Sequence, residues 1–202
     1  MCRPQTKWEQ CLEFHGHECL GLAIGYRQAL HALEALETAK DGNEDLLAIV
    51  ETDACGVDAI QVLTGCTIGK GNLIYQDKGK MALTLANRRT RKAIRIIKRE
   101  NALPEDEHFH AVRRKITSGA ATKEDQAEWA KIQKERVHKF LSLPFADIFQ
   151  ARWVDFPEIE KARLFPTITC SKCQEPFSEG KARVMGGQIV CSDCFQDYTR
   201  GW

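Results

Sequence analysis

The chain has 202 residues with 29 Lys and Arg against 28 Asp and Glu, a net charge near +1, which excludes a global field able to recruit nucleic acid or an acidic membrane. A hydrophobic content of 43% excludes a disordered chain, and the length suits one medium domain with a small appendage. Membrane-length apolar runs are absent and the N-terminus lacks the apolar core of a signal peptide, so a cytoplasmic protein with no membrane partner is expected. Nine cysteines would fit disulfides in a secreted chain, but the count is odd and four of them have metal-ligand spacing, so metal is the better explanation.

Lys7 to Phe14 places Trp8, Cys11 and Leu12 on one side of a short amphipathic helix that stops at Gly16. The next stretch, Phe14 to Gly21, reads FHGHECLG and carries His15, His17 and Cys19 within five residues. Two imidazoles and a thiol suit zinc, nickel, copper or iron, and Gly16 lets the backbone bend so that both rings face one point. The bland alternative is a pair of histidines capping a helix start. From Cys19 onward, Leu22, Tyr26, Ala29, Leu30, Leu33 and Leu36 recur at helical spacing, and a long helix is expected to end near Lys40, Asp41 and Gly42. Gly21, Gly25, Ala29 and Ala32 form a small-residue stripe on it, serving either a dimer seam or packing within the chain.

Leu46 to Val50 has the length and branching of a buried strand, and after Asp53 the spacing of Val57, Ile60 and Leu63 turns helical. Cys55 therefore sits at a strand-to-helix turn, where unpaired N–H groups and the helix dipole favour a thiolate. It is a candidate ligand or nucleophile, or else a small buried hydrophobe. The loop GCTIGKG from Gly65 to Gly71 fails as a phosphate-binding loop: three residues separate Gly65 from Gly69, and Gly71 rather than Ser or Thr follows Lys70. Leu73 to Tyr75 and Met81 to Leu85 read as the two strands of a hairpin. Arg88 to Asn101 is a basic strand or helix, balanced by Glu105, Asp106 and Glu107. Phe109 to Ile116 and Thr122 to Leu141 are charged helices, the second opened by Thr122 and Asp125 as a capping box, and Ile148 to Phe156 returns to a strand pattern.

Pro166 marks a boundary. Beyond it Cys170 and Cys173, then, after seventeen intervening residues, Cys191 and Cys194 have the spacing of a four-cysteine structural zinc site. Gly186 and Gly187 turn a hairpin between the pairs, and Cys191 to Tyr198 reads as a terminal helix, the arrangement of a treble-clef finger. So small a unit buries little core, and metal binding would supply its folding energy. A pair of redox CxxC motifs or an iron–sulfur site are the alternatives. The expected fold class is α+β, a mixed α/β core over residues 1–165 with a small zinc-finger domain over 166–202.

The segments FHGHECLG, GYR at Gly25 to Arg27, and DACGVDAIQVLTGCTIGKGNL at Asp53 to Leu73 together resemble the FmdE-like family, named after a component of formylmethanofuran dehydrogenase. That enzyme is a molybdenum or tungsten enzyme of one-carbon metabolism, and some family members carry a C-terminal zinc finger. The resemblance implies an α+β core, an intertwined homodimer, and a polar site lined by the His/Cys motif and the Cys55 turn. Leu20 stands where the family commonly has Pro. Two functions remain open. One is a metal-binding accessory or regulatory protein with structural zinc on Cys170, Cys173, Cys191 and Cys194, and a second transition metal on His15, His17, Cys19 and Cys55, with Cys66 as a further ligand. In that reading the finger contacts a protein partner or nucleic acid. The other is a metal- or thiolate-dependent enzyme acting on a small molecule of one-carbon or molybdenum/tungsten cofactor metabolism, for which His15, His17, Asp53 and Asp58 are the only available bases.

Overall fold

The computed structural model describes residues 4–40 and 44–201. Two compact units divide the chain, Met1–Lys161 and Ala162–Trp202. In the first, helix α1 (Lys7–His15) begins at a capping box in which Thr6 and Glu9 each bond the other's backbone, and ends at Gly16 with φ 88°. Helix α2 (Leu20–Ala35) follows, N-capped by the thiol of Cys19. It stops five residues short of the expected end. Thr38 N–H bonds to the Leu33 carbonyl and Glu37 N–H to that of Glu34, a Schellman closure with Glu37 at φ 50° where glycine is usual. The expected end at Asp41 and Gly42 lies outside the described residues.

Strand β1 (Leu46–Val50), helix α3 (Gly56–Thr64) and strand β2 (Leu73–Tyr75) form a β-α-β unit with β2 parallel to β1. Strands β3 (Ala82–Asn87), β4 (Lys92–Lys98) and β5 (Phe149–Val154) complete a sheet of order β2-β1-β3-β4-β5. The expected hairpin of residues 73–75 with 81–85 is therefore wrong. β1 lies between those strands and takes β2 on one edge and β3 on the other, which buries all five of its residues. The hairpin is instead β3 with β4, so the basic segment is a strand.

Helices α4 (Glu107–Thr117) and α5 (Lys123–Ser142) are inserted between β4 and β5, α5 opening on the Thr122 and Asp125 capping box. A short turn, α6 (Phe145–Ile148), leads into β5. Leu46, Ala48 and Val50 of β1, Leu83 and Leu85 of β3, and Ile94 and Ile96 of β4 pack with Leu22, Ile24, Ile60, Val137 and Phe140 in the main core. On the other side of the sheet Leu47, Ala86 and Ala93 lie under Phe156 and Ile159.

Arg27 ties α2 to the far end of α5: Nη1 donates to the carbonyls of Phe140 and Leu141 at 3.1 and 2.6 Å, and Nη2 to that of Leu143 at 2.9 Å. These are carbonyls that a helix end leaves without a partner. Gln28, 3% exposed, bridges two strands by donating to Met81 and Ile96 carbonyls.

The second unit holds two ribbons, β6 (Thr167–Thr169) with β7 (Pro176–Ser178), and β8 (Arg183–Met185) with β9 (Gln188–Val190) turned by Gly186 and Gly187. The helix expected over Cys191 to Tyr198 is absent. Only the turn closed by Phe195 N–H on the Cys191 carbonyl forms there.

Candidate metal centres

Three helix ends meet at the first site. A Cβ on Gly25 would stand 1.9 Å from the Gly56 carbonyl oxygen, and one on Gly56 would stand 2.9 Å from the Gly21 oxygen. Only glycines allow α2 and α3 to touch backbone to backbone. The stripe thus serves packing within the chain at Gly21 and Gly25, the alternative to a dimer seam. Its consequence is that Cys19, capping α2, and Cys55, preceding α3, come together. A Cβ on Gly21 would lie 3.7 Å from Cys55 Sγ and 3.9 Å from Cys19 Sγ, and the Cys55 thiol is near enough to raise the pKa of Cys19.

From the other side the C-terminus of α1 delivers His15, and the bend at Gly16 returns His17 beside it, ring centroids 4.5 Å apart. One ligand atom each from His15, His17 and Cys19 lies within 4.8 Å of the others. Cys55 borders this group through Cys19. Cys66 does not reach it: it follows the opposite end of α3 and is wholly buried in the core. Nine helical residues hold these ends about 13 Å apart.

His15 Nδ1 lies 2.7 Å from Asp58 Oδ2, and its Nε2 lies 3.7 Å from Cys19 Sγ. With the proton on Nδ1 donated to Asp58, Nε2 presents its lone pair to the sulfur side, the usual orientation of a metal-bound histidine. Gln61 Nε2 donates to the other Asp58 oxygen at 3.4 Å. From the sequence Asp58 is a candidate base only. Its partner is 43 residues away, although the i, i+3 pair Asp58 and Gln61 on one helix face was visible. Burial raises the Cys19 thiol pKa, the Leu22 N–H opposes this, and the Cys55 thiol adds to it. The donor set of two imidazoles and one thiol, with the Cys55 thiol bordering it, fits a borderline transition metal, and exposed His17 leaves one side open. Beside it lies a cavity of about 430 Å³ lined by His15, Asp53, Cys55, Asp58, Leu73 and Tyr75 among others.

In the second unit, ligand atoms of Cys170, Cys173, Cys191 and Cys194 also lie within 4.8 Å of one another, the four that spacing singled out. Cys173 and Cys191 Sγ are 3.9 Å apart. Lys172 and Cys191 N–H groups point at Cys170 Sγ from 3.4 and 3.3 Å. Backbone donors, Cys173 foremost, lower its thiol pKa to about 6. Without a cation the crowded set resists full ionisation: burial and the neighbouring thiols push Cys194 up to about 12. A divalent ion removes that conflict by holding all four as thiolates.

Residues 14–150 match the family model described as FmdE, molybdenum formylmethanofuran dehydrogenase operon. The chain belongs to the FmdE family. Residues 161–200 match the prokaryotic dksA/traR C4-type zinc finger, so this FmdE protein carries a C-terminal zinc finger. A protein of Archaeoglobus fulgidus described as a probable S-adenosyl-L-methionine-binding protein is 36% identical over 183 residues, covering 85% of this chain and 50% of its own length. The chain thus spans about half the length of that relative. A crystal structure of a tungsten formylmethanofuran dehydrogenase FmdE-like protein from Syntrophus aciditrophicus superposes with TM-score 0.61. It is 24% identical, covers 92% of this chain and 88% of its own, and shares the α+β fold. Among the described residues no helix is long and apolar enough to cross a membrane.

Proposed function

We propose that this FmdE-family protein is a cytoplasmic metal-binding accessory or regulatory protein. Its core binds a transition metal through His15, His17, Cys19 and Cys55, and its finger holds structural zinc on Cys170, Cys173, Cys191 and Cys194 while contacting a protein or nucleic-acid partner. The observation that carries the reading is the convergence of His15, His17 and Cys19, with Asp58 orienting His15. Neither helix capping nor core packing requires the two imidazoles on either side of the Gly16 bend to face one thiol. The four-cysteine finger leaves no open coordination position, whereas the core set does, and the cavity beside it gives a small molecule access.

That same access supports the enzyme reading, in which the core metal or the Cys55 thiolate acts on the small molecule. The name of the Archaeoglobus relative supports S-adenosylmethionine as one ligand to titrate, although that match covers half of the relative. A homodimer remains part of the proposal, supported by the family resemblance and by Trp153, 57% exposed on edge strand β5. Titration of zinc, nickel, copper and iron into the metal-stripped full chain tests the core site. Two equivalents per chain are expected, one of them lost in a His17→Ala/Cys55→Ala variant. Light scattering at micromolar protein tests the dimer, which a mass of one chain contradicts.

A further inference from the structure

We propose that the cavity beside the core cluster receives a small organic cation with an apolar body, its charged head near the carboxylates of Asp53 and Asp58. The proposal deepens the metal-site reading and rests on it in one respect, that the cluster at His15 and Cys55 closes one end of the cavity. Asp58 Oδ2 lies 2.7 Å from His15 Nδ1, and the Asp58 carboxylate lines the cavity. Asp53 adds a second negative charge on the same cavity.

The apolar walls include Val50, Val57, Ile68, Leu73 and the ring of Tyr75, Thr52 and Gln61 add uncharged polar groups, and among the described residues lining the cavity there is no lysine or arginine. A cleft walled by apolar side chains and one sign of charge concentrates ligands of the opposite sign. At its mouth desolvation, a hydrogen bond to Asp77 and the nearby charges of Asp53 and Asp77 raise the pKa of the Tyr75 hydroxyl, so the ring stays a neutral aromatic surface. Such a face attracts an ammonium. A phosphate or carboxylate ligand would meet no side-chain cation there and two carboxylates instead. The inferred ligand class is therefore an organic monocation, and polyanionic cofactors are excluded from this cavity.

The test uses the zinc-loaded full chain, labelled with nitrogen-15, titrated with benzylammonium, benzyl alcohol and benzoate while amide shifts are followed. Benzylammonium is expected to shift amides of Val50 to Asp58 and Leu73 to Tyr75, and to bind at least about fivefold tighter than benzyl alcohol, the scale of one partly exposed ion pair. Benzoate is expected to leave them unmoved. Asp53→Asn, at an exposed position, should lower benzylammonium affinity by a similar factor and leave benzyl alcohol unchanged. Benzoate binding as tightly as benzylammonium, no shift with any probe, or an indifferent Asp53→Asn variant overturns the proposal. Metal content of the same samples separates the two readings. A core without metal that still prefers the ammonium overturns only the metal site, whereas a loaded core that prefers benzoate overturns only the ligand class.

Discussion

Gly25 and Gly56 meet backbone to backbone, with room for no side chain on either: a Cβ on Gly25 would fall 1.9 Å from the Gly56 oxygen. This contact sets the crossing of α2 and α3 and therefore the meeting of Cys19 with Cys55. Because the opposing atoms are backbone, neither side can rotate away. Gly25→Ala is expected to destabilise the protein by about 3 kcal/mol or more through overpacking. Thermal unfolding should show this as a fall of about 6–12 °C. A variant as stable as the parent would contradict the contact.

Arg27 closes the C-terminus of α5 from α2 with three hydrogen bonds to carbonyls. Arg27→Ala should cost about 2–3 kcal/mol, since charged donors to otherwise unpaired carbonyls are removed. Arg27→Lys, lacking the fork, should recover only part of it. Denaturant unfolding of both variants checks the order.

Some of this was readable in the sequence, and the limits have physical causes. Helix α1, strand β1, the Thr122 capping box and the four finger cysteines follow from local patterns, because caps, strand composition and knuckle spacing act over a few residues. Strand partners are not local. Leu73 to Tyr75 looked like one arm of a hairpin, yet the partner it finds is β1, reached across α3. The end of α2 was missed because Glu37 adopts a left-handed conformation that its side chain does not advertise. At the core site, the ligand types were visible in FHGHECLG, but the hydrogen bond between His15 and Asp58 depends on how α1 lies on α3, and the exclusion of Cys66 depends on which end of α3 faces the cluster.

Glu51 is 4% exposed and receives Arg95 Nε and Nη2 at 2.8 and 2.9 Å. These hydrogen bonds, and then the charges of Arg95 and neighbouring lysines, hold its pKa below 4.5 against the effect of burial. A carboxylate with a depressed folded pKa stabilises the fold fully above its unfolded pKa, and that stabilisation is lost as pH falls through the folded value. Stability should therefore drop below pH 4.5, and Glu51→Gln should remove that part of the dependence while lowering stability at neutral pH by leaving Arg95 without its carboxylate. Denaturant midpoints between acidic and neutral pH for both proteins measure it.

Asp58 holds His15 through Nδ1, so Asp58→Asn should weaken metal binding at the core by about 10–100-fold without altering zinc in the finger. Competition with a chromophoric chelator gives the core affinity. An unchanged affinity would mean that Asp58 does not orient the ligand.

The central claim is that the core is a metal site distinct from the finger. Elemental analysis of the full chain, purified without added metal, tests it most directly when run beside His17→Ala/Cys55→Ala and Cys173→Ser/Cys191→Ser. The account predicts two metal ions per parent chain and one in each variant, with zinc the ion retained by the first. One ion per chain in both the parent and the His17→Ala/Cys55→Ala protein would contradict it.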